Sequence, residues 1–461
     1  MKRVSRRFSA FAITALALVL VCGIAASPAS AGDRVQWMPG YSAPGTPSMY
    51  NQVGVLKFGP NDARNILVFN PGTSAGSAYI APFARTLLHH LNGWQVWSVE
   101  RRENLLEDQS VAERAKQGKV TAKRLFDYYL GWLADSSIKN HFQLIPDSQV
   151  EFAKQWGMRT EINDLRKVVL RAEERGGHVV VMGHSLGGSI TTAYATWDFN
   201  GRPGVRGLSG LVYDDGGSSP TPITKDEAQQ RLSDLDSGSP WLNFGGIAAP
   251  FAGLFAEGGG ITALIASNEP SLGQQFPLLP DNLKPPVPAT NLAQWGYAAD
   301  TQTSPPNLFA FQAHVGHLAA SGDPRGWDQA GDITPIKRYA KMFAGWKLRN
   351  VDGVAWYHPM RLTIDSGSVA DGNKNPAQTV MGVKAIHGDD INVPIYAFGA
   401  FGGKNVLDDA RALAEQSDLP ASELTLVNRH STYAHNDPAG AYPENAFLNH
   451  LVPFLNGITR H

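Results

Sequence analysis

Gly183-His184-Ser185-Leu186-Gly187-Gly188 lies directly behind the apolar run Val179-Val180-Val181-Met182 and ahead of a helix-compatible stretch, Ser189 to Trp197. A serine placed between a buried strand and a helix in this way is forced into a strained turn that lifts its hydroxyl clear of a sheet. The small flanking residues are required because a side chain there would collide with the neighbouring strand or helix. The motif therefore constrains both architecture, a strand–turn–helix unit in a layered α/β domain, and chemistry, acyl transfer from Ser185.

The pattern G-x-S-x-G recurs at Gly72-Thr73-Ser74-Ala75-Gly76, and in a chain with 47 glycines roughly a few tenths of a chance match is expected, so context must arbitrate. In a right-handed βαβ sheet the nucleophile strand needs earlier strands beside it, and only Ser185 has them. The loop after Pro71 suits a different task, supplying backbone N–H donors that face the nucleophile.

Strand and helix signals alternate from residue 53 onward. Strands are expected at Val53 to Phe58, Ile66 to Phe69, Trp94 to Val99, Val179 to Met182 and Leu208 to Tyr213. Helices are expected at Tyr79 to Leu91, Ser110 to Ala134 and Arg159 to Arg175. From Ser218 to about Ile386 the alternation stops and Gly, Pro, Trp and Phe become frequent. It resumes with a strand at Pro394 to Phe398, a helix at Leu407 to Gln416, a strand at Leu424 to Val427 and a helix at Asn445 to Leu455. The expected fold class is α/β, with a predominantly parallel central sheet and a large insertion. The expected division is a leader over 1–31, a first core part over 32–217, a lid or cap insertion over 218–390 and a second core part over 391–461. An insertion at that point either covers the site or decorates the surface away from it.

A serine hydroxyl near neutral pH needs a base within hydrogen-bond reach and a buried carboxylate to orient that base. Of the 13 histidines, His435 is the leading candidate, because Tyr433-Ala434-His435-Asn436-Asp437-Pro438 follows the last strand and precedes the final helix. His430 lies in the same loop, and His184 is expected to pack locally beside the nucleophile. The carboxylate is the open member. After the strand Pro394 to Phe398 comes Gly399-Ala400-Phe401-Gly402-Gly403-Lys404-Asn405, without an acid, and Asp408 and Asp409 beyond it sit where they would cap a helix. Tyr213-Asp214-Asp215-Gly216-Gly217 offers Asp215, the preferred candidate, and Asp214. Expected oxyanion donors are the backbone N–H of Leu186 and one from Gly72-Thr73-Ser74, assigned to Thr73; both lie at helix N-termini.

On Gly183 to Gly188, the Asn70-Pro71-Gly72 loop, the chain order Ser185, Asp215, His435 and the terminal His-Asn-Asp-Pro loop, the sequence resembles the α/β-hydrolase fold superfamily, in particular bacterial secreted serine hydrolases of the esterase/lipase type. The resemblance covers roughly residues 53–217 and 391–458, while the insertion matches nothing nameable. It implies hydrolysis of esters or related acyl compounds without a cofactor; it does not imply a substrate. The missing acid after Pro394 to Phe398 is a departure from the usual pattern and bears on the acid assignment.

Other features narrow the function classes. The formal net charge is −1, which becomes −5 when Lys2, Arg3, Arg6 and Arg7 are removed, and no basic patch points to nucleic acid. A basic start, an apolar run from Phe8 to about Ala26 and Ala29-Ser30-Ala31 read as a cleavable secretory signal, with a membrane anchor or twin-arginine export as lesser readings. Cys22, the sole cysteine, lies inside that leader behind Val21, a poor context for lipidation. The mature chain then has no thiol for a disulfide, nucleophile or metal site. No histidine pair has metal-ligand spacing, and no metal is expected.

Trp241, Phe244, Phe251, Phe255, Trp295, Phe309 and Phe311 in the insertion either line an apolar acyl pocket or form the insertion's own core. The first reading makes the partner a lipophilic small-molecule ester, with transient contact at a lipid interface. Two rival classes remain. One is a non-catalytic secreted binding protein, recognisable by inertness to a serine-directed phosphonate. The other is an acyltransferase using the same acyl-enzyme, recognisable by its products with an alcohol acceptor.

Overall fold

A computed structural model describes residues 32–401 and 405–460. The expected leader over 1–31, with Cys22, lies outside the described residues, as do Gly402, Gly403 and Lys404. Ten strands are present among the described residues: β1 (Gln36–Pro39), β2 (Gln52–Phe58), β3 (Asn65–Asn70), β4 (Trp94–Glu100), β5 (Val179–His184), β6 (Gly210–Asp214), β7 (His317–Gly322), β8 (Arg325–Asp328), β9 (Ile395–Gly399) and β10 (Leu424–Asn428). Eight of them form one sheet in the order β1-β2-β4-β3-β5-β6-β9-β10, while β7 and β8 form a separate hairpin. The β1–β2 and β2–β4 pairings are antiparallel, and all others in the large sheet are parallel.

The near-continuous apolar runs of β3, β5 and β9 are what a sheet covered on both faces requires. Alternation within each strand sends successive side chains to opposite layers. Leu67, Phe69, Val180, Met182 and Phe398 face one layer, with Phe83 and Leu451 of the helices Ala81–Leu88 and Ala446–Ile458. Ile66, Val68, Val179, Val181 and Ala397 face the other, with Leu165 and Ile190 of the helices Met158–Glu173 and Leu186–Ala195.

The single helix expected over Ser110 to Ala134 is two, Ser110–Lys116 and Ala122–Tyr129, because Gly118 between them takes a φ of +70°. The expected helix from Tyr79 begins as a 3-10 turn, Ser77–Ile80, before Ala81–Leu88.

Between β6 and β9 the regular structure is mainly helical, with its longer segments at Lys225–Ser237, Phe251–Ile265, Asn291–Ala299 and Ile336–Phe343. Trp241, Leu254, Trp295 and Phe343 extend the first layer's core, whereas Leu362, Val369, Ala377 and Ala385 join the second. The stretch thus packs around the end of the sheet where β5, β6 and β9 terminate, and reaches both of its faces. No helix among the described residues is long and apolar enough to cross a membrane.

Candidate active site

Ser185 sits at the turn between β5 and the helix Leu186–Ala195 with φ 56° and ψ −125°, a left-handed conformation that a side-chain-bearing residue adopts only under constraint. The constraint is visible on both sides. A Cβ on Gly183 would fall 1.9 Å from the Gly187 carbonyl oxygen, and one on Gly187 would fall 2.1 Å from that of Asn70. Ser185 is further tied by donating its N–H to Asp214 O (3.1 Å) and accepting from Gly188 N (2.8 Å).

Asp215 follows β6, itself at a φ of +45°. Its Oδ2 lies 2.5 Å from His435 Nδ1, and its Oδ1 accepts the Ala400 N–H at 2.6 Å, with both partners' side chains almost wholly buried. A donor at Nδ1 leaves Nε2 as the imidazole's lone-pair nitrogen. Nε2 is buried without a hydrogen-bond partner among the described residues, so its bond to Ser185 is not formed here. Such bonds commonly tighten only when substrate is bound. Both residues line the same cavity.

Around the dyad the loop is held rigidly. Asn436 accepts from Tyr79 OH (2.8 Å) and donates to Ala310 O and Gln312 O. Asp437 accepts from Ala434 N, from Thr334 Oγ1 and from the backbone N–H of His314, whose imidazole it also pairs at 2.6 Å. His184 stacks between Tyr79 and His435, at 5.1 and 4.5 Å between ring centres, and its Nε2 lies 3.0 Å from the His435 carbonyl oxygen. Burial, reinforced by the neighbouring His435, pushes its pKa well below the usual range, so it stays a neutral donor.

The other candidates are elsewhere. Asp214 is fully buried with neither oxygen hydrogen-bonded among the described residues. Burial first, and the charge of Asp215 second, raise its pKa well above the carboxylate range, which favours its neutral form. Asp408 is paired with Arg411 at the start of its helix (2.6 Å). Asp409 faces a small space beside Asp371, its pKa raised to about 7 by burial. His430 is exposed and hydrogen-bonded to Asn428. Ser74 lines the cavity, but its N–H is donated to His358 Nδ1 (3.2 Å), while neither Thr73 nor Leu186 N–H has an acceptor among the described residues.

The cavity beside Ser185 encloses about 170 Å³ and runs beneath the helix Phe251–Ile265. Its walls are apolar, with Phe126, Phe255, Leu279, Trp295 and Phe343 among them. Five of the seven aromatics singled out in the sequence, Phe244, Phe255, Trp295, Phe311 and, by its 6.0 Å ring contact with His435, Phe309, border this region. Trp241 is buried in the packing instead. No group of three or more His, Cys, Asp or Glu among the described residues is arranged to hold a metal.

A parallel sheet with antiparallel first strands, a strained serine turn after its fifth strand and a histidine loop after its last defines the architecture. The chain has the α/β-hydrolase fold. No protein-family model matches the sequence, and no curated relative matches it. Among solved structures, α/β-hydrolase neighbours include a candidate lipase from Sulfolobus solfataricus, 14% identical over 92% of this chain and 93% of that one at a TM-score of 0.47. A soluble variant of monoglyceride lipase from Saccharomyces cerevisiae, in complex with a substrate analogue, is 11% identical over 92% and 95% at 0.38. A thermophilic esterase from Thermogutta terrifontis is 10% identical over 92% and 99% at 0.37.

Sequence reasoning passed over Arg101 and His358. Arg101 had one legible signal, a cation directly after a strand whose every residue is buried. His358 had none, since it meets the Gly72 loop from 284 residues away.

Proposed function

We propose that this protein is a secreted serine hydrolase that cleaves lipophilic carboxylic esters through an acyl-enzyme on Ser185. The observation that carries the reading is the buried Asp215–His435 contact of 2.5 Å, set beside a strained serine turn on one apolar cavity. In this reading His435 Nε2 takes the Ser185 proton as the hydroxyl attacks the ester carbonyl, and Asp215 holds the imidazole in the required tautomer and stabilises the imidazolium. The oxyanion is met by the N–H groups of Leu186 and Thr73, each worth about 3 kcal/mol to the transition state. His435 then protonates the departing alcohol, and a water activated at the same nitrogen releases the acid. No step calls for a cofactor.

The apolar cavity supports a lipophilic acyl group. Phe309, 45% exposed and stacked edgewise near His435, supports a brief contact with a lipid interface at the mouth. Residues 218–390 are assigned as the cap and 1–31 as the export leader.

The test is the intact mass of the mature protein after a fluorophosphonate probe, with Ser185→Ala alongside and p-nitrophenyl esters of rising chain length in parallel. One label per chain, lost in the variant, together with turnover, is expected. A folded protein that neither labels nor turns over refutes the hydrolase reading in favour of a binding protein. Labelling with acyl transfer to an added alcohol and none to water makes it an acyltransferase.

A further inference from the structure

Arg101 is 3% exposed, and its guanidinium is spent on the loop that faces Ser185. Nη1 donates to Pro71 O, and Nη2 to Gly72 O and Ala75 O, each at 2.9 Å, while Nε pairs with Glu103 at 2.8 Å. A peptide group is planar and trans, so its C=O and the following N–H point in opposite directions. Turning the Gly72 carbonyl toward Arg101 therefore turns the Thr73 N–H away from it.

The next peptides are fixed from the other side, by the stretch between β6 and β9. His358 Nδ1 takes the Ser74 N–H at 3.2 Å, and the Ala355 N–H reaches Ser74 O at 2.8 Å. The Ala75 N–H closes back on Gly72 O at 3.3 Å. Of the Thr73, Ser74 and Ala75 N–H groups, that of Thr73 is the one without an acceptor among the described residues. The loop also touches the serine turn: a Cβ on Gly72 would lie 2.9 Å from Ser185 Cβ.

Resting on the hydrolase reading above, we propose that Arg101 and His358 are positioning residues that clamp the Gly72–Thr73 peptide with its N–H on the oxyanion, so that the hole is formed before substrate arrives. His358 can accept only if its imidazole is neutral with the proton on Nε2, and Nε2 lies 3.1 Å from Thr363 Oγ1. Burial, and then the charge of Arg101, hold its pKa well below the usual range. Without the guanidinium, three carbonyls lose a common donor, and the long Ala75 N–H contact is what still opposes a flip that would aim the Gly72 oxygen at the developing anion. It follows that the 352–358 stretch is part of the catalytic scaffold and cannot lift away without releasing the Ser74 N–H.

The test compares wild type, Arg101→Ala, His358→Ala and His358→Asn on p-nitrophenyl butyrate, with butylboronic acid inhibition as a report on anionic tetrahedral binding. Arg101→Ala should lower kcat by about 10²–10³ with KM nearly unchanged. Boronate affinity should fall by a similar factor, and added guanidinium ion should restore kcat at least in part. His358→Ala should behave likewise, and His358→Asn, whose Oδ1 can take the same N–H, should recover much of the loss. Folded Arg101→Ala with wild-type kcat overturns the proposal. So does a kcat loss with unchanged boronate affinity and no guanidinium rescue. If Arg101→Ala does not fold, the His358 pair decides, and equal activity of His358→Ala and wild type overturns it. A wild type that neither labels at Ser185 nor turns over refutes the hydrolase reading itself, a result distinct from an active wild type indifferent to these changes.

Discussion

Asp215→Asn is the substitution whose consequence can be worked most fully. Among the described residues, the two acceptor oxygens of Asp215 meet His435 Nδ1–H and the Ala400 N–H. An asparagine offers one oxygen and one NH₂. The Ala400 N–H is fixed by the backbone and cannot become an acceptor, so the amide oxygen must turn to it and the NH₂ to His435. His435 Nδ1 then has to accept, which moves the ring proton to Nε2 and removes the lone pair that would take the Ser185 proton. In serine–histidine–carboxylate sites the wrong tautomer lowers kcat by about 10⁴, or roughly 5 kcal/mol of barrier.

The neighbouring Asp214→Asn supplies the control. Burial drives Asp214 toward its neutral form and it makes no side-chain hydrogen bond among the described residues, so an amide of the same shape should leave kcat within about threefold of wild type. The assay is steady-state turnover of a p-nitrophenyl ester at saturating substrate, with thermal melts to establish folding. A folded Asp215→Asn protein that keeps more than about a tenth of wild-type kcat would refute the tautomer argument. An equal loss in Asp214→Asn would show that the effect belongs to the buried strand end rather than to the hydrogen bond with His435.

Two further outcomes are expected. A Cβ at Gly258, on the cavity side of the helix Phe251–Ile265, would meet nothing within 4 Å. Gly258→Leu should therefore fold as well as wild type or better, leave p-nitrophenyl acetate turnover unchanged and lower kcat/KM for long acyl chains by about tenfold or more; an unchanged chain-length profile would place the acyl group elsewhere. Burial raises the pKa of Glu161 to about 8, so the folded chain keeps a proton there that the unfolded chain releases near 4.5. Stability from this group is then present at low pH and lost as pH rises through that window, at up to about 1.4 kcal/mol per pH unit. Glu161→Gln should flatten the decline of Tm between pH 5 and 8, leaving the same-signed parts from Glu100 and Asp164, whose pKa values are raised to about 7 and about 6. A slope identical to wild type would refute a protonated Glu161.

Much of the sheet was legible because its strands are local patterns. Four consecutive apolar residues before Gly183, three of them valine, make a run short and β-branched enough to mark a strand buried on both faces, and the glycines after it are demanded by contacts with the adjoining turn and the neighbouring loop. The stretch between β6 and β9 was not legible. Its helices show no alternation with strands, and the small β7–β8 hairpin carries exposed and half-buried residues without a clean period.

The residues alone point to a serine on a turn between a buried strand and a helix, to a histidine loop after the last strand, and to a small loop after Pro71 suited to present N–H groups to that serine. These follow from side-chain size and periodicity over a few residues. Only the tertiary structure decided which of four aspartates meets His435, since Asp214 and Asp215 are adjacent in sequence but part at the end of β6, one into the core and one toward the loop. It also decided which loop N–H groups remain available, because that depends on Arg101 and on His358, a partner 284 residues from Ser74. The direction of a peptide bond is set by what its carbonyl and amide meet in space, and spacing along the chain carries no record of it.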